Sequence, residues 1–142
     1  MPRIFPGTGA TSITGSVGTL EQVTTNGSST TKSLVFVPSA TQSLLAANAI
    51  LANATTVRVQ GSGGSVILTS IPTIADGSDG QFLIILGASD TNLVTIQDSA
   101  NLAGSNLQLS GGNDFTMGQG DTITLMFDTN AADWVEISRS GN

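Results

Sequence analysis

The sequence has no histidine, no cysteine and no tyrosine among its 142 residues. Histidine is the usual proton shuttle near neutral pH, and histidine and cysteine are the main ligands of softer metal ions. Their absence excludes Ser/His/Asp and Cys/His nucleophiles as well as disulfides. The single lysine, Lys32, lies in the polar segment SSTTKS, where nothing would desolvate it into a nucleophile. We therefore predict that the chain is not an enzyme, has no catalytic residues and needs no cofactor or metal.

Positive charge is also scarce, because four Lys and Arg residues stand against ten Asp and Glu residues, a net charge of −6. Residues 1–71 hold three basic residues and one acid, a net +2, whereas residues 72–142 hold one basic residue and nine acids, a net −8. Nucleic acids and anionic membranes both attract clusters of Lys and Arg, and no cluster is present. There is also no apolar run of signal-peptide type. We expect no nucleic-acid or membrane partner, and synthesis in a host cytoplasm.

What the sequence has in abundance is Ser and Thr, 36 residues together, and 17 Gly. These residues suit pleated strands and turns rather than helices. Short β-type segments recur at intervals of roughly 8–12 residues, a spacing typical of sandwiches and barrels. The predicted strands are 20–25, 33–37, 56–60, 65–71, 81–86, 92–97, 106–109, 115–117, 122–128 and 134–139. Because long crossover connections are not evident, we predict an all-β, antiparallel β-sandwich, with a jelly roll as one variant, over residues 20–142.

Two segments carry more specific structural predictions. In residues 40–54, Leu44, Ala47 and Leu51 are spaced at i, i+3 and i+7, which predicts one or two helical turns. Residues 81–86, QFLIIL, are apolar at both odd and even positions, which predicts a central strand covered on both faces.

Residues 1–19 contain two Pro and four Gly and show no sustained periodicity. One interpretation is a disordered tail, because free termini are usually mobile. The alternative is an extended N-terminal arm that orders against a neighbouring subunit, since the segment carries apolar residues that a simple linker would lack. The predicted interface residues of this arm are Arg3, Ile4, Phe5, Ile13 and Val17.

Carboxylates are the only groups left that could do chemistry. Glycosidases use two of them, and the candidate pairs are Asp76 with Asp79, and Asp128 with Asp133, Asp121 or Glu136. The sequence has one Trp and five Phe, few for a sugar-cleaving groove. The segment DGSDG (76–80) also resembles an oxygen-rich calcium loop, but Asp-Gly pairs more often form a plain turn.

Trp134 and Arg139 stand out in the last predicted strand. Val135 and Ile137 are predicted to point inward, which places Trp134 and Glu136 on the outer face. An exposed Trp is often an interface anchor, although a Trp at a strand start can also cap the core. Arg139, the one cation of the acidic half, would pair with a carboxylate of its own chain or across a subunit boundary.

Several segments resemble a module of bacteriophage virion proteins. The motifs that carry the resemblance are a Gly-rich turn, a GD-x-I-x-L strand and a terminal W-x-E-x-S-R strand. They lie in DGSDGQFLIILG (76–87), NLVTIQD (92–98), NLQLSGG (106–112), DFTMGQGDTITLMFD (114–128) and DWVEISRSGN (133–142). The upstream segment TTNGSSTTKSLVFVP (24–38) is similar to parts of phage fibres and decoration proteins.

The resemblance implies a homotrimer on the outside of a phage particle. The short chain beginning at Met1, and its arm, favour a capsid decoration (cement) protein that bridges subunits of the major capsid protein at the outer capsid surface. The alternative is a tail-fibre or tailspike module that binds host polysaccharide through acidic loops (Asp90, Asp98, Asp114 and Asp128). A spike that cleaves glycans is a third class, but it needs a longer groove than this chain offers.

Overall fold

Short β-strands form nearly all the regular structure of residues 35–142, the part of the chain that this computed structural model describes. The strands are β1 (Gln42–Leu44), β2 (Thr56–Gly61), β3 (Val66–Ile67), β4 (Phe82–Gly87), β5 (Val94–Ile96), β6 (Leu107–Gln108), β7 (Phe115–Met117), β8 (Thr122–Asp128) and β9 (Asp133–Ser140). A three-residue 3-10 turn follows β6 at Ser110–Gly112. No helix in this part of the chain is long and apolar enough to span a bilayer. The predicted arm, the strand at 20–25 and the domain boundary between them lie outside the described residues.

The strands form a six-stranded sheet in the order β1-β2-β4-β8-β9-β6 and a three-stranded sheet in the order β3-β5-β7. Side chains alternate along each strand, so one face of each sheet is apolar. The inward side chains of both sheets belong to a single buried cluster, which confirms the predicted all-β sandwich. From the larger sheet come Val57, Val59, Leu83, Ile85, Ile123, Leu125 and Phe127, and from the smaller sheet come Val94, Ile96 and Met117.

The prediction of purely antiparallel pairing is wrong. Pairs β1–β2, β2–β4, β3–β5 and β6–β9 are parallel, while β4–β8, β5–β7 and β8–β9 are antiparallel. Parallel neighbours require a crossover connection, usually a helix. Here the chain alternates between sheets from β2 to β5, so the strand in the opposite sheet is itself the crossover. This accounts for the parallel pairs β2–β4 and β3–β5, whereas β1 and β2 are joined by the irregular segment between them.

The predicted helical turns in residues 40–54 are also absent. The segment forms β1 and then a turn in which the side-chain oxygen of Asn48 accepts a hydrogen bond from the Leu45 amide at 2.7 Å. The Gln42 side chain bonds both the amide and the carbonyl of Leu51, each at 2.9 Å. Such side-chain bonds compete with helical backbone bonds. As a result Leu44 is buried while Leu51 is exposed, and no shared helical face exists.

Two further strand predictions change in extent. Residues 35–37 of the predicted strand 33–37 have no regular secondary structure, and residues 33–34 lie outside the described part. The predicted strand 65–71 shortens to Val66–Ile67. The predictions for β2 and for β4 to β9 agree with the structure within two residues at either end.

Strand β4 lies centrally in its sheet, as predicted, but only one of its faces is buried within the described residues. Leu83 and Ile85 are buried, whereas Phe82 is 50% exposed and Ile84 and Leu86 are partly exposed. The prediction of a strand covered on both faces is therefore wrong for this part of the chain. The outward apolar side chains of β4 become part of the sheet surface.

The facing of β9 is the reverse of the prediction. Trp134 pairs with Phe127 of β8 and is fully buried, its ring edge packing on the Phe127 ring at a centroid distance of 5.2 Å. Its indole N–H donates to the Ala75 carbonyl at 3.1 Å. Val135 faces outward, and a bulge farther along β9 leaves Ile137 52% exposed. Burying the largest apolar side chain gains more free energy than burying Val or Ile, which explains the register.

We predict that Trp134→Ala lowers the free energy of unfolding by about 3–5 kcal/mol, because it removes a fully buried ring from the core. Ile137→Ala, a change in the same strand at an exposed position, should cost less than about 1 kcal/mol. Urea unfolding of the full chain measures both. Equal losses for the two variants would contradict the observed facing of β9.

Candidate functional site

The face of the six-stranded sheet that points away from the core carries a graded surface, which we call the outer face. Its middle is formed by Phe82, Ile84 and Leu86 of β4, which alternate with the buried residues of the same strand. In the register with β8, Met126 lies opposite Phe82 and Thr124 lies opposite Ile84. The outer face is thus more apolar toward the start of β4 and more polar toward its end.

A cleft of about 430 Å³ lies at the apolar end of the outer face. Its lining residues are Phe36, Thr55, Gln81, Phe82 and Ile84. Phe36 and Phe82 are each about half exposed, at 48% and 50%. None of its lining residues from the described part of the chain is charged, so these residues offer apolar contact area and little means of orienting a polar ligand.

A second cleft, of about 390 Å³, lies at the polar end, and we call it the Arg58 cleft. Its lining residues are Thr41, Arg58, Leu86, Gly87, Ala88, Gln119 and Gly120. Arg58 is positioned by β2, where Val57 and Val59 on either side are buried and force its side chain outward, opposite Leu86 of β4. Within residues 35–142 the Arg58 guanidinium has no hydrogen bond and no ion pair. It is an exposed cation at the edge of a concave surface, and no partner for it lies among the residues that the structure describes.

The floor of the Arg58 cleft is fixed by backbone contacts between the end of β4 and the β7–β8 turn. The Gly87 amide donates to the Asp121 carbonyl at 2.9 Å, and the Gly120 amide donates to the Gly87 carbonyl at 3.2 Å. A Cβ atom at Gly87 would lie 1.8 Å from the Gly118 carbonyl oxygen, so this close approach requires glycine. The turn therefore sits directly against the end of β4.

Two carboxylates hold the same turn from behind. Asp90 accepts a hydrogen bond from the Gln119 amide at 2.7 Å, and Asp121 accepts from the Gly118 amide at 2.8 Å and the Asn142 amide at 2.6 Å. The two N–H donors lower the pKa of the Asp121 carboxyl, Gly118 more than Asn142. The backbone that carries Gln119 into the Arg58 cleft is thus fixed before any ligand arrives.

Acidic side chains play this architectural role throughout the described chain. Every carboxylate in residues 35–142 accepts at least one hydrogen bond from a backbone or side-chain donor. They are Asp76, Asp79, Asp90, Asp98, Asp114, Asp121, Asp128, Asp133 and Glu136. Asp98, only 5% exposed, accepts from the amides of Ala100 and Leu109 at 2.8 and 2.6 Å. The acidic half is explained by loop structure, since charged acceptors make strong bonds to N–H groups.

The carboxylates of the predicted pairs also accept hydrogen bonds from nearby donors. Asp128 and Asp133 lie opposite each other at the end of the β8–β9 hairpin, yet they accept bonds from the Asn130 amide and the Gln108 side chain, respectively. In the DGSDG segment (76–80), Asp76 accepts from the Asn106 side chain, while Asp79 accepts from the amide and hydroxyl of Thr129.

The DGSDG segment forms a turn at its end, with Gly80 at φ +73°. Within it, a Cβ atom at Gly77 would lie 2.9 Å from the Trp134 ring, so glycine is also required by packing. In residues 35–142 no three His, Cys, Asp or Glu side chains are grouped so as to hold a metal ion.

Arg139 pairs within its own chain. Its Nε donates to Glu136 at 2.6 Å and a terminal nitrogen contacts the other carboxylate oxygen, while the guanidinium lies 4.8 Å from the Phe115 ring centroid. Glu136 faces inward and also accepts from the Ser110 amide at 2.7 Å, so its predicted outward facing is wrong. The Arg139 bond, more than the Ser110 amide, lowers the pKa of Glu136, although burial opposes the shift.

Of the predicted interface residues, Arg3, Ile4, Phe5, Ile13 and Val17 lie outside the described part, and Trp134 is buried in its own core.

We predict that Glu136→Gln lowers the free energy of unfolding at pH 7 by about 1–2 kcal/mol, because it removes a charge-assisted, partly buried pair. A carboxyl whose pKa is lower in the folded than in the unfolded chain stabilises the fold above its unfolded pKa, and that contribution is lost as the pH falls. The loss of stability below about pH 4.3, an ordinary glutamate pKa, should therefore be shallower in Glu136→Gln than in the parent chain. Urea titrations from neutral to acidic pH measure both slopes, and parallel slopes would contradict the role assigned to Glu136.

The Arg58 cleft was missed by the sequence analysis. Alternation in TVRVQ correctly turned Arg58 outward, but β2 and the turn 118–121 are distant in the sequence, and only the parallel β2–β4 pairing brings them together. The sequence signal that could have indicated this site is Arg58 itself, a charged residue between the two apolar residues Val57 and Val59.

The fold and its geometry agree with the comparison against known families. The family model described as the phage depolymerase C-terminal beta sandwich domain matches residues 37–135. No curated protein and no solved structure shows a significant match to the chain. The family match confirms the resemblance to phage β-structural modules of the tail-fibre or tailspike type, and it indicates a virion-associated structural protein. Because the match spans well over half of the sequence, the chain belongs to the family of phage depolymerase C-terminal beta sandwich domains.

Proposed function

We propose that this chain is a receptor-binding module of a phage tail fibre or tailspike and recognises polysaccharide on the host surface without cleaving it. The observation that carries the proposal is the family match over residues 37–135. The family description names a depolymerase, a protein that cleaves a polymer, and we infer that its C-terminal domain works beside that polymer. A rigid sandwich with clefts on an exposed sheet face suits binding at that position.

The non-catalytic part of the proposal is supported by the state of the carboxylates. Hydrolysis of a glycosidic bond needs one carboxyl to donate a proton and a second to act as base or nucleophile, both facing the substrate. In residues 35–142 each carboxylate accepts a hydrogen bond from a backbone or side-chain donor. This includes Asp128 and Asp133, the two carboxylates that lie opposite each other on neighbouring strands. No carboxylate of the described residues lines either cleft.

The capsid cement function, with the major capsid protein as partner, is less well supported than tail attachment. It depends on the arm formed by residues 1–19, which lies outside the described residues. The family match favours a tail location, since the family is named for depolymerases and not for capsid proteins. The homotrimer implied by the resemblance is compatible with either location, and sedimentation equilibrium of the full chain tests it.

The first experiment is binding to host cells. Labelled full chain should bind cells that carry their surface polysaccharide and should not bind isogenic cells that lack it. The same polysaccharide, incubated with the chain, should release no new reducing ends, because every carboxylate of residues 35–142 already accepts a hydrogen bond within the fold. Equal binding to both cell types would overturn receptor recognition, and release of reducing ends would overturn the non-catalytic assignment.

The second experiment locates the protein on the particle. Quantitative mass spectrometry of purified virions should give a copy number that is a small multiple of three, and gold-labelled antibody should mark the tail. A copy number comparable with that of the capsid protein, with labelling over the head, would favour the cement function instead.

A further inference from the structure

Arg58 is the one cation in residues 35–142 that the fold does not use. The only other basic residue in this range, Arg139, is bound to Glu136, to two carbonyls and to the Phe115 ring. Arg58 makes no hydrogen bond or ion pair within the described chain, although nine carboxylates are present there. Its side chain instead lines a cleft in which hydrogen bonds hold the end of β4 and the β7–β8 turn together. A charged side chain placed beside a preformed cavity and left unpaired is available to a ligand.

The chemistry of the cleft indicates the ligand. A guanidinium presents N–H donors in a planar fork that matches a carboxylate with two parallel hydrogen bonds. Gln119 and Thr41 add an amide and a hydroxyl, which can donate to or accept from sugar hydroxyls. Leu86 and Ala88 supply a small apolar wall suited to the C–H face of a sugar ring. Among the described residues no aromatic side chain lines the cleft, so affinity would depend on the charged contact rather than on stacking.

The walls of the cleft are arranged before binding. The Gln119 amide is held by Asp90, the Gly118 amide by Asp121, and the end of β4 by backbone bonds to the same turn. Residues that are already fixed lose less conformational entropy on binding, so a larger part of the free energy of each contact contributes to affinity. The glycine at position 87 allows the close approach of this turn, because a Cβ atom there would lie 1.8 Å from the Gly118 carbonyl oxygen.

We propose that the Arg58 cleft binds the carboxylate of an acidic sugar residue, a uronic acid or a similar unit, in the host polysaccharide. This inference rests on the proposed receptor function and names the class of saccharide and the contact that selects it. Arg58 pairs with the carboxylate, and Gln119 and Thr41 bond the neighbouring hydroxyls. Neutral sugars lack the group that Arg58 recognises and bind more weakly.

The test is a two-dimensional NMR titration of the full chain with glucuronic acid, glucose and glucose 1-phosphate. Glucuronic acid should cause saturable shifts of the Arg58 Nε–H, the Gln119 side-chain amide and the Gly120 amide, while glucose causes none. Arg58→Gln should weaken glucuronate binding by about tenfold or more, because it replaces a charged, two-bond contact with a neutral one. Arg58→Lys keeps the charge but loses the fork, so it should fall between the two.

Control variants separate the site from general effects. Arg58 is exposed, so Arg58→Gln should leave the thermal midpoint unchanged. Ile67→Ala, which changes an exposed residue in the opposite sheet, should leave glucuronate affinity unchanged. Equal shifts with glucose, unchanged affinity in Arg58→Gln, or tighter binding of glucose 1-phosphate than of glucuronate would each overturn the assignment of a carboxylate site.

The outcome is distinguishable from failure of the proposed receptor function. If parent and Arg58→Gln chains bind host cells equally, recognition stands and the Arg58 cleft is not its site. If glucuronate binds at Arg58 but host cells do not bind the chain, the site stands and the receptor function fails.

Discussion

The structure depends on satisfying backbone donors that short strands leave unpaired. Strands of two to eight residues cover only part of residues 35–142, so many amides lie in turns and connections. Unpaired buried amides are costly, and a carboxylate is the strongest side-chain acceptor available. Asp98, Asp114 and Asp121 each bond backbone amides that no strand partner reaches. The acidic residues of the described chain therefore serve the loop structure of this sandwich.

Features that depend on residues close together in the sequence were predicted correctly more often than features that depend on distant residues. Alternation within a strand is local, so the sequence alone located β2, β4, β7, β8 and β9 and most of the core. The predicted facing of β9 was wrong because Trp134 and Ile137 favour opposite registers. Burial of the larger Trp134 side chain outweighs burial of Ile137. The helical prediction was wrong because the side chains of Gln42 and Asn48 form hydrogen bonds with nearby backbone groups. The spacing of apolar residues contains no information about such bonds. Strand direction failed because it depends on which sheet each strand joins.

The alternation of the chain between sheets also explains why the Arg58 cleft exists. Since β3 passes through the smaller sheet, β2 and β4 become parallel neighbours and end at the same edge of the larger sheet. The β7–β8 turn meets that edge because β8 pairs antiparallel to β4. Three segments that are remote in sequence therefore converge at one corner. Parallel pairing, the feature least visible in the sequence, creates the concave surface that a ligand would use.

The net charge of −6 does not prevent the Arg58 cleft from attracting an anion. Charges separated by more than about 10 Å are largely screened at moderate ionic strength, so contact groups decide the sign of a bound ligand. Asp90 and Asp121 do lie behind the cleft, but their oxygens face the amides of Gln119 and Gly118. Their repulsion is thereby partly offset by N–H dipoles, whereas Arg58 faces the cleft with nothing in the described chain to neutralise it. Added salt would screen the distant acids and the Arg58 contact together, so substitution of Arg58 itself is the measure of local attraction.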